Sequence, residues 1–188
     1  MAIQEILIYP KHKVDLRRKC AQVSDVNLQV KRLVGDLKDT LAHHSDGIGL
    51  AAPQINVHQR VVIVRLNGGV KGVSQSKPPI AMINPRILEA SDERRDFDGC
   101  LSFPDLYGET IRPHYLRVIY LDEEGQRTGG VFHEFDAVVV HHEIDHLDGV
   151  LFIDRIEYKE DLYRVKENDS GELVRVPVLW FEEGSRLR

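Results

Sequence analysis

The hexapeptide HHEIDH at residues 141–146 contains the pattern His-Glu-x-x-His, formed by His142, Glu143 and His146. Side chains four residues apart lie on one face of a helix, so both imidazoles can bind one metal ion. Glu143 then lies beside the coordination position left for water, where a carboxylate can act as a general base. Two histidines make an incomplete site, so the chemistry depends on a third ligand elsewhere in the chain.

Three arrangements could supply this third ligand. A metzincin would place a histidine six residues beyond His146, but Phe152 occupies that position and cannot bind metal. A thermolysin-like site would use a downstream glutamate, for which Glu167 is available. Cys100, in DGCLSFP, is the other candidate, because a thiolate suits a borderline-soft ion and the preceding glycine permits close backbone approach. Spacing alone leaves both Glu167 and Cys100 open.

A buried helix is predicted to carry the motif. From Glu134 onward, apolar residues cover nearly every side of a helix that should stop at Gly149. Burying an unpaired polar group costs on the order of several kcal/mol, so the two histidines should be paired or bound. A second, amphipathic helix is predicted after a cap at Ser24 or Asp25, and its buried stripe consists of Val30, Leu33, Val34, Leu37 and Leu41.

Short β-branched segments predict strands at residues 61–66, 79–84 and 115–121, separated by the turn sequences NGG, SKPP and DEEGQ. The charged run SDERRD at 91–96 is interpreted as a solvated loop. The tail from Glu160 fits either a hairpin around NDSG or a short helix followed by a strand. Parallel βαβ units are not apparent, so we expect an α+β fold whose small, mostly antiparallel sheets enclose the His-Glu-x-x-His helix.

Composition favours one soluble catalytic domain over residues 1–188, with 42% hydrophobic and 29% charged residues. No apolar run reaches the roughly 18 residues of a membrane span, and the N-terminus lacks the basic start of an export signal. A cytoplasmic location, or its organellar equivalent, is therefore expected. The formal net charge of −5 gives no general attraction for phosphate backbones, and no nucleic-acid motif is present. Cys20 has no motif around it and is expected to be structural.

Three ordered motifs resemble the signatures of peptide deformylases. They are GIGLAAPQ at 47–54, DGCLS at 98–102 and HHEIDH at 141–146, and the likeness spans about residues 5–157. It implies a metal-dependent hydrolase that removes the formyl group from N-formylmethionine at the N-terminus of newly made polypeptides. The implied partners are N-formylmethionyl peptides and nascent chains, with a transient ribosome contact. Residues 158–188 form a C-terminal tail without a basic patch.

The same resemblance assigns roles within the site. One divalent metal ion per chain, natively Fe(II) with Zn(II), Ni(II) or Co(II) as alternatives, would be bound by Cys100, His142 and His146. Such an ion lowers the pKa of water from about 15.7 toward about 7. Glu143 would take the water proton and hand it to the departing amine. The Gln54 side chain and the Leu101 backbone N–H would stabilise the negative charge that forms on the formyl oxygen.

Substrate contacts also follow from the resemblance. The backbone of Ile48 and Gly49 is expected to pair with an extended peptide, as an added strand. The methionine pocket should be apolar, and its candidates by position and residue type are Ile48, Phe97, Phe135, Val138 and Val139. Gly99 and Tyr107 are the other predicted substrate contacts.

Three positions in or near the predicted site depart from the family pattern. His141 stands where the family usually has glutamine, Asp98 replaces a glutamate, and Tyr107 occupies a position where many bacterial members have an arginine. His141 and Asp98 are expected beside the metal ligands, so we predict that they change the metal affinity or the pH optimum.

Overall fold

The computed structural model describes residues 2–66, 78–168 and 170–178. The turn predicted at 67–69 and the end of the tail, 179–188, lie outside the described residues. The helices are α1 (Lys13–Leu16), α2 (Leu28–His43) and α3 (Glu134–Leu147). The strands are β1 (Gly49–Ala51), β2 (Val61–Val64), β3 (Ile80–Gly99), β4 (Tyr107–Leu121), β5 (Arg127–His133), β6 (Leu162–Glu167) and β7 (Leu173–Pro177). Short 3₁₀ helices cover Ala52–Ile55, Phe152–Arg155 and Lys159–Asp161.

The named strands form one curled sheet in the order β1-β2-β3-β4-β6-β7, and β5 also pairs with β4. Every pairing between them is antiparallel. β3 and β4 make a long hairpin whose register shifts twice near its start, which bends the strands. The predicted antiparallel α+β fold is confirmed.

Helix α3 lies against this sheet and is buried on nearly every side. Among its residues, only Glu134 and His141 escape burial. Its apolar side chains share one core with residues of β2, β3 and β4, including Val62, Met82 and Leu116. The helix ends at Leu147, and Gly149 follows with a φ of 74°, a backbone conformation that favours glycine. The predicted buried helix and its glycine stop are confirmed.

Helix α2 covers a second core on the other side of β1 and β2. All five residues of the predicted apolar stripe are buried. The predicted cap was wrong, because Asn27 precedes the helix and its side chain accepts hydrogen bonds from Gln29 N at 2.9 Å and Val30 N at 3.2 Å. An asparagine so placed satisfies two of the free N–H groups of the first turn.

The charged run at residues 91–96 is not a loop but part of β3, where it pairs with β4. Residues 91–95 are exposed, as the charge pattern predicted, and Asp96 is half-buried. The backbone is extended because the long hairpin supplies hydrogen bonds to every second residue. Beyond residue 83, β3 has a strand partner on one side only among the described residues, and charges at such an edge discourage pairing with other chains.

The tail forms a hairpin rather than a helix followed by a strand. Strand β6 pairs with β7, and Asn168 closes the connection by accepting hydrogen bonds from Ser170 N and Glu172 N, both at 2.9 Å. β6 also pairs with the start of β4 at Tyr107 and Gly108, which attaches the tail to the sheet. Among the described helices, none is long and apolar enough to cross a membrane.

Candidate active site

The long β3–β4 hairpin brings Cys100 to helix α3. One ligand atom each from Cys100, His142 and His146 lies within 4.8 Å of the other two. Cys100 Sγ is 3.3 Å from His146 Nε2. Sulfur and nitrogen ligands of one tetrahedral ion, at about 2.3 and 2.0 Å from it, are roughly 3.5 Å apart. The donor set and its spacing therefore fit a divalent metal ion with three protein ligands.

Glu167, the alternative third ligand, is at the end of β6 and exposed. It does not belong to the described group of ligand atoms around the two histidines. Cys20, the other cysteine, is buried in the core next to α3. Burial raises the pKa of its thiol to about 11, so Cys20 stays protonated and unreactive.

Asp98 fixes the orientation of His142. The Nδ1 atom of His142 donates to Asp98 Oδ1 at 2.8 Å, which leaves Nε2 free to face a metal. The same carboxylate accepts hydrogen bonds from Gly99 N at 2.9 Å, Thr110 Oγ1 at 3.0 Å and Arg112 Nε at 2.7 Å. Burial alone would raise the pKa of Asp98, but the charges of His142 and Arg112 hold it well below its usual value.

Arg112 connects this carboxylate to a second one on α3. Its side chain is completely buried, and Nη1 donates to Asp145 Oδ2 at 2.8 Å. Arg155 also binds Asp145, at 2.7 and 3.0 Å. Nη1 of Arg112 is 2.8 Å from His141 Nδ1, which must accept because a guanidinium can only donate. Burial lowers the pKa of His141 to about 4, so this ring is neutral and able to accept.

The two histidines of the motif have opposite tendencies to carry charge. Burial opposes protonation of His142, but Asp98 and Cys100 raise its pKa well above the usual value. Burial and the nearby His142 charge lower the pKa of His146 to about 3. The His146 ring is therefore neutral, as a metal ligand must be, and the negative groups around His142 favour a positive charge at its position.

Glu143 projects from α3 next to the ligands. Its side chain is buried, and Oε2 has no hydrogen-bond partner among the described residues. Burial raises the pKa of this carboxyl group to about 7, near the optimum for a group that exchanges protons at neutral pH. The carboxylate lies against Gly49 of β1, where an added Cβ would be 2.7 Å from Glu143 Cδ.

Gln54 reaches the site from the 3₁₀ helix that follows β1. Its amide oxygen accepts from Ala51 N at 2.8 Å, which fixes the orientation of the side chain. Nε2 then points to Cys100 Sγ at 3.4 Å and to Ser102 Oγ at 3.2 Å. Gln54 is therefore buried and not the surface amide that its residue type alone would suggest. Leu101 directly follows Cys100, and both residues line the cavity at this site.

A cavity of about 710 Å³ opens onto these groups. Its lining includes every predicted substrate contact: Ile48, Gly49, Gly99, Tyr107, Phe97, Phe135, Val138 and Val139. Tyr107 stacks on Phe97 with 5.5 Å between ring centroids. The apolar side chains of α3 thus serve both the core and the cavity wall.

Several residues of the site were not predicted. Arg112 gave no signal, because an arginine in a strand is usually exposed. Asp145 could have been found, since a carboxylate on a helix that is apolar on every side needs a buried cation. Ser102 and the segment 3–8, most of which lines the cavity, were also missed.

An antiparallel α+β fold around a buried His-Glu-x-x-His helix, with a cysteine thiol facing the histidines, is typical of a metal-dependent hydrolase. The family model of polypeptide deformylase matches residues 3–161. The chain belongs to the polypeptide deformylase family. It is a hydrolase that removes the N-formyl group from nascent peptides. The predicted family and activity are confirmed.

Individual members of the family are similar in sequence to this chain over most of their length. The peptide deformylase of Alkalilimnicola ehrlichii is 41% identical over 154 residues, which cover 82% of this chain and 82% of that protein. That of Bartonella tribocorum is 39% identical over 85% of this chain and 92% of its own. The structure of Acinetobacter baumannii class I type b peptide deformylase with Met-Ala-Ser bound has a TM-score of 0.74 at 30% identity, covering 82% of this chain and all of that one.

Proposed function

We propose that Cys100, His142 and His146 hold the divalent metal ion on which deformylation depends. The observation that carries this assignment is the convergence of one thiol and two imidazoles within 4.8 Å, beside a buried carboxylate. A metal ion bound there supplies Lewis-acid chemistry and makes water a nucleophile at neutral pH. Asp98 orients His142 through its Nδ1 and so keeps Nε2 directed at the ion.

Glu143 is the proton-transferring group in this proposal. Its carboxylate removes a proton from the attacking water and delivers it to the amine that leaves when the formyl C–N bond breaks. Gln54 Nε2 and the backbone N–H of Leu101 donate hydrogen bonds to the formyl oxygen as it becomes negative. Because Ala51 N holds the Gln54 amide in place, this donor is already oriented before the substrate arrives.

The peptide binds along β1. This strand is at the end of the sheet, and its only strand partner among the described residues is β2. The free edge at Ile48 and Gly49 can therefore accept an extended substrate as an added strand. The methionine side chain enters the apolar part of the cavity, lined by Phe97, Phe135, Val138 and Val139. The Acinetobacter baumannii relative, whose structure has Met-Ala-Ser bound, supports a peptide as the ligand of this protein.

Fe(II) is the native metal in this proposal, with Zn(II), Ni(II) or Co(II) as substitutes, because thiolate and imidazole suit all of these ions. The enzyme acts in the cytoplasm or an equivalent organellar compartment, as one catalytic domain, and contacts the ribosome transiently. These points rest on the resemblance and on the nature of the substrate. Metal analysis after anaerobic purification tests the identity of the native metal. Co-sedimentation with ribosomes tests the transient ribosome contact.

Formate release from a formyl-Met tripeptide tests the reaction directly. We expect formate from protein loaded anaerobically with Fe(II). The matching acetyl-Met peptide should release little or no acetate, because the additional methyl group crowds the carbonyl carbon. Absence of formate from protein that contains one metal ion per chain would contradict the proposed function. Hydrolysis of peptide bonds would then be measured next.

Replacing Cys100 with serine should lower the metal content from one ion per chain to well below that value, because a neutral hydroxyl is a poor ligand. The matched variant is Glu167→Gln, which should keep the metal since Glu167 is exposed and away from the histidines. Elemental analysis of both proteins measures this difference. The reverse pattern would assign the third ligand to Glu167.

Replacing Gly49 with alanine should reduce kcat by roughly 100-fold, since displacing a catalytic group by about 1 Å can have that effect. The added methyl group would overlap the Glu143 carboxylate. Gly47→Ala is the matched control, because its Cβ would meet a Leu41 methyl group, the movable end of a side chain, at 2.8 Å. Steady-state kinetics with unchanged metal content measure the effect. Equal losses in the two variants would contradict a specific effect on Glu143.

A further inference from the structure

His114 of β4 is a buried titratable residue that takes no part in the proposed mechanism. Only 6% of its surface is exposed, and its Nε2 atom has no hydrogen-bond partner among the described residues. Leaving a buried polar atom unpaired costs stability, whereas an apolar side chain in the same place would not have this cost. Packing alone therefore does not explain a histidine at this position.

The ring of His114 lies between two carboxylates. Its Nδ1 atom is 3.2 Å from Glu134 Oε2 and donates to it, because a carboxylate only accepts. On the other side of the ring, Nε2 is 3.6 Å from Asp96 Oδ2. Asp96 belongs to β3, and Glu134 is the first residue of α3. His114 therefore connects the long hairpin to the start of the helix.

Both carboxylates belong to residues that directly precede a phenylalanine of the cavity. Asp96 is followed by Phe97, and Glu134 is followed by Phe135. Both phenylalanines line the cavity and form part of the proposed methionine pocket. The Asp96 carboxylate also accepts a hydrogen bond from the backbone N–H of Phe97 at 2.7 Å. The position of each ring in the pocket thus depends on a residue that faces His114.

The backbone of Glu134 is in a conformation that must be held in place. Its φ of 50° is in the left-handed region, which favours glycine, and other residues persist there only when their surroundings fix them. Oε2 of Glu134 accepts from Arg94 Nη1 at 3.0 Å as well as from His114. The Arg94 side chain is about half exposed, whereas His114 is buried. His114 therefore supplies the contact that water weakens less.

We infer that His114 is a positioning residue for the methionine pocket. By donating to Glu134 and facing Asp96, it fixes the start of α3 relative to β3, and so the position of Phe135 relative to Phe97. The methionine side chain of the substrate then meets a pocket that is already ordered, which lowers the cost of binding. The inference rests on the proposed function, because the methionine side chain must enter the pocket that these two rings line.

Two variants of nearly equal side-chain shape, His114→Asn and His114→Leu, test the inference. The asparagine amide can donate to Glu134 from the place of Nδ1, whereas leucine has no donor. Formate release from formyl-Met-Ala-Ser and formyl-Gly-Ala-Ser, both amidated, is measured with the metal-loaded enzymes. The glycine peptide has no side chain to fill the pocket, so the methionine-to-glycine ratio of kcat/KM reports on the pocket alone.

This ratio should fall by roughly tenfold in His114→Leu, as expected from the loss of a hydrogen bond to a charged group, and should stay within about threefold in His114→Asn. The fall should appear as a higher KM for the methionine peptide. Its kcat should change by less than about threefold, because His114 contacts none of the proposed reacting groups.

A second set of variants shows whether His114 acts through Glu134. Glu134→Gly removes the carboxylate, and glycine accepts the left-handed backbone, so the ratio should fall as it does in His114→Leu. Adding His114→Leu to Glu134→Gly should lower the ratio further by no more than about twofold, because the contact is already absent. Arg117→Gln is the control, since Arg117 is a half-exposed residue of the same strand that pairs with Glu89, and it should keep the full ratio.

Three results would overturn the inference. They are an unchanged ratio in His114→Leu, an equal fall in His114→Asn and His114→Leu, and a full further fall in the double variant. A failure of the proposed function looks different, because the unmodified enzyme would then release no formate or would show no preference for the methionine peptide.

Discussion

Replacing Glu143 with glutamine is expected to lower kcat by roughly 10²–10⁴-fold while the protein still binds one metal ion per chain. The amide has the shape of the carboxylate but cannot take a proton from water. The side chain is only 4% exposed and Oε2 has no described partner, so few other groups can replace it. The pKa of about 7, which burial produces, lets the native carboxyl group both accept and return a proton near neutral pH.

Formate release and elemental analysis of the same Glu143→Gln sample distinguish a loss of catalytic rate from a loss of metal binding. Glu124→Gln, an exposed position that does not line the cavity, is the control and should behave as the unmodified enzyme. A loss in rate below about tenfold would mean that another group transfers the proton. Loss of the metal would mean that Glu143 is itself a ligand, contrary to the assignment of Cys100, His142 and His146.

The parts of the fold that could be predicted from the sequence are those determined by local periodicity. The stripe Val30 to Leu41 and the all-round apolar pattern from Phe135 to Leu147 identified α2 and α3 because each depends on residues within a few turns. The cap of α2 was misplaced by two residues or more, since Ser24, Asp25 and Asn27 are all good caps and only the chain path selects one.

Cys100, the proposed third ligand, could not be predicted from the periodicity of the sequence. Cys100 meets His146 only because β3 runs 20 residues to deliver it to α3, and that pairing with β4 is a long-range contact. This part of β3 was not predicted as a strand, because the charged run at 91–96 is typical of a loop. The resemblance of three ordered motifs to a known family selected Cys100 over Glu167, and the residue spacing did not.

The departures at Asp98 and His141 fit together in the structure. Although Asp98 is shorter than glutamate, it contacts His142 Nδ1 at 2.8 Å and Arg112 Nε at 2.7 Å. His141 accepts from the same arginine, as a neutral ring. Neither substitution breaks the chain of contacts from Asp98 through Arg112 to Asp145. Their effect on the metal affinity or the pH optimum stays a prediction.

Replacing Arg112 with leucine should lower the free energy of unfolding by about 3–5 kcal/mol, the usual effect of removing one partner of a buried ion pair. The arginine is fully buried and binds Asp98 at 2.7 Å and Asp145 at 2.8 Å. Asp145 would keep its contact with Arg155, but Asp98 would lose its cation in a site where it must orient His142. Urea unfolding at equal metal occupancy measures the loss.

The control for this variant lies on the same strand. Arg117 of β4 is half exposed and pairs with Glu89 at 3.1 Å, so Arg117→Leu should change the free energy of unfolding by no more than about 1 kcal/mol. Adding Asp98→Asn to Arg112→Leu should recover part of the lost stability, because the unpaired charge is removed together with its partner. An Arg112→Leu loss no larger than that of Arg117→Leu would show that the buried carboxylates do not depend on Arg112. His142 would then be oriented by its hydrogen bond to Asp98 without help from Arg112.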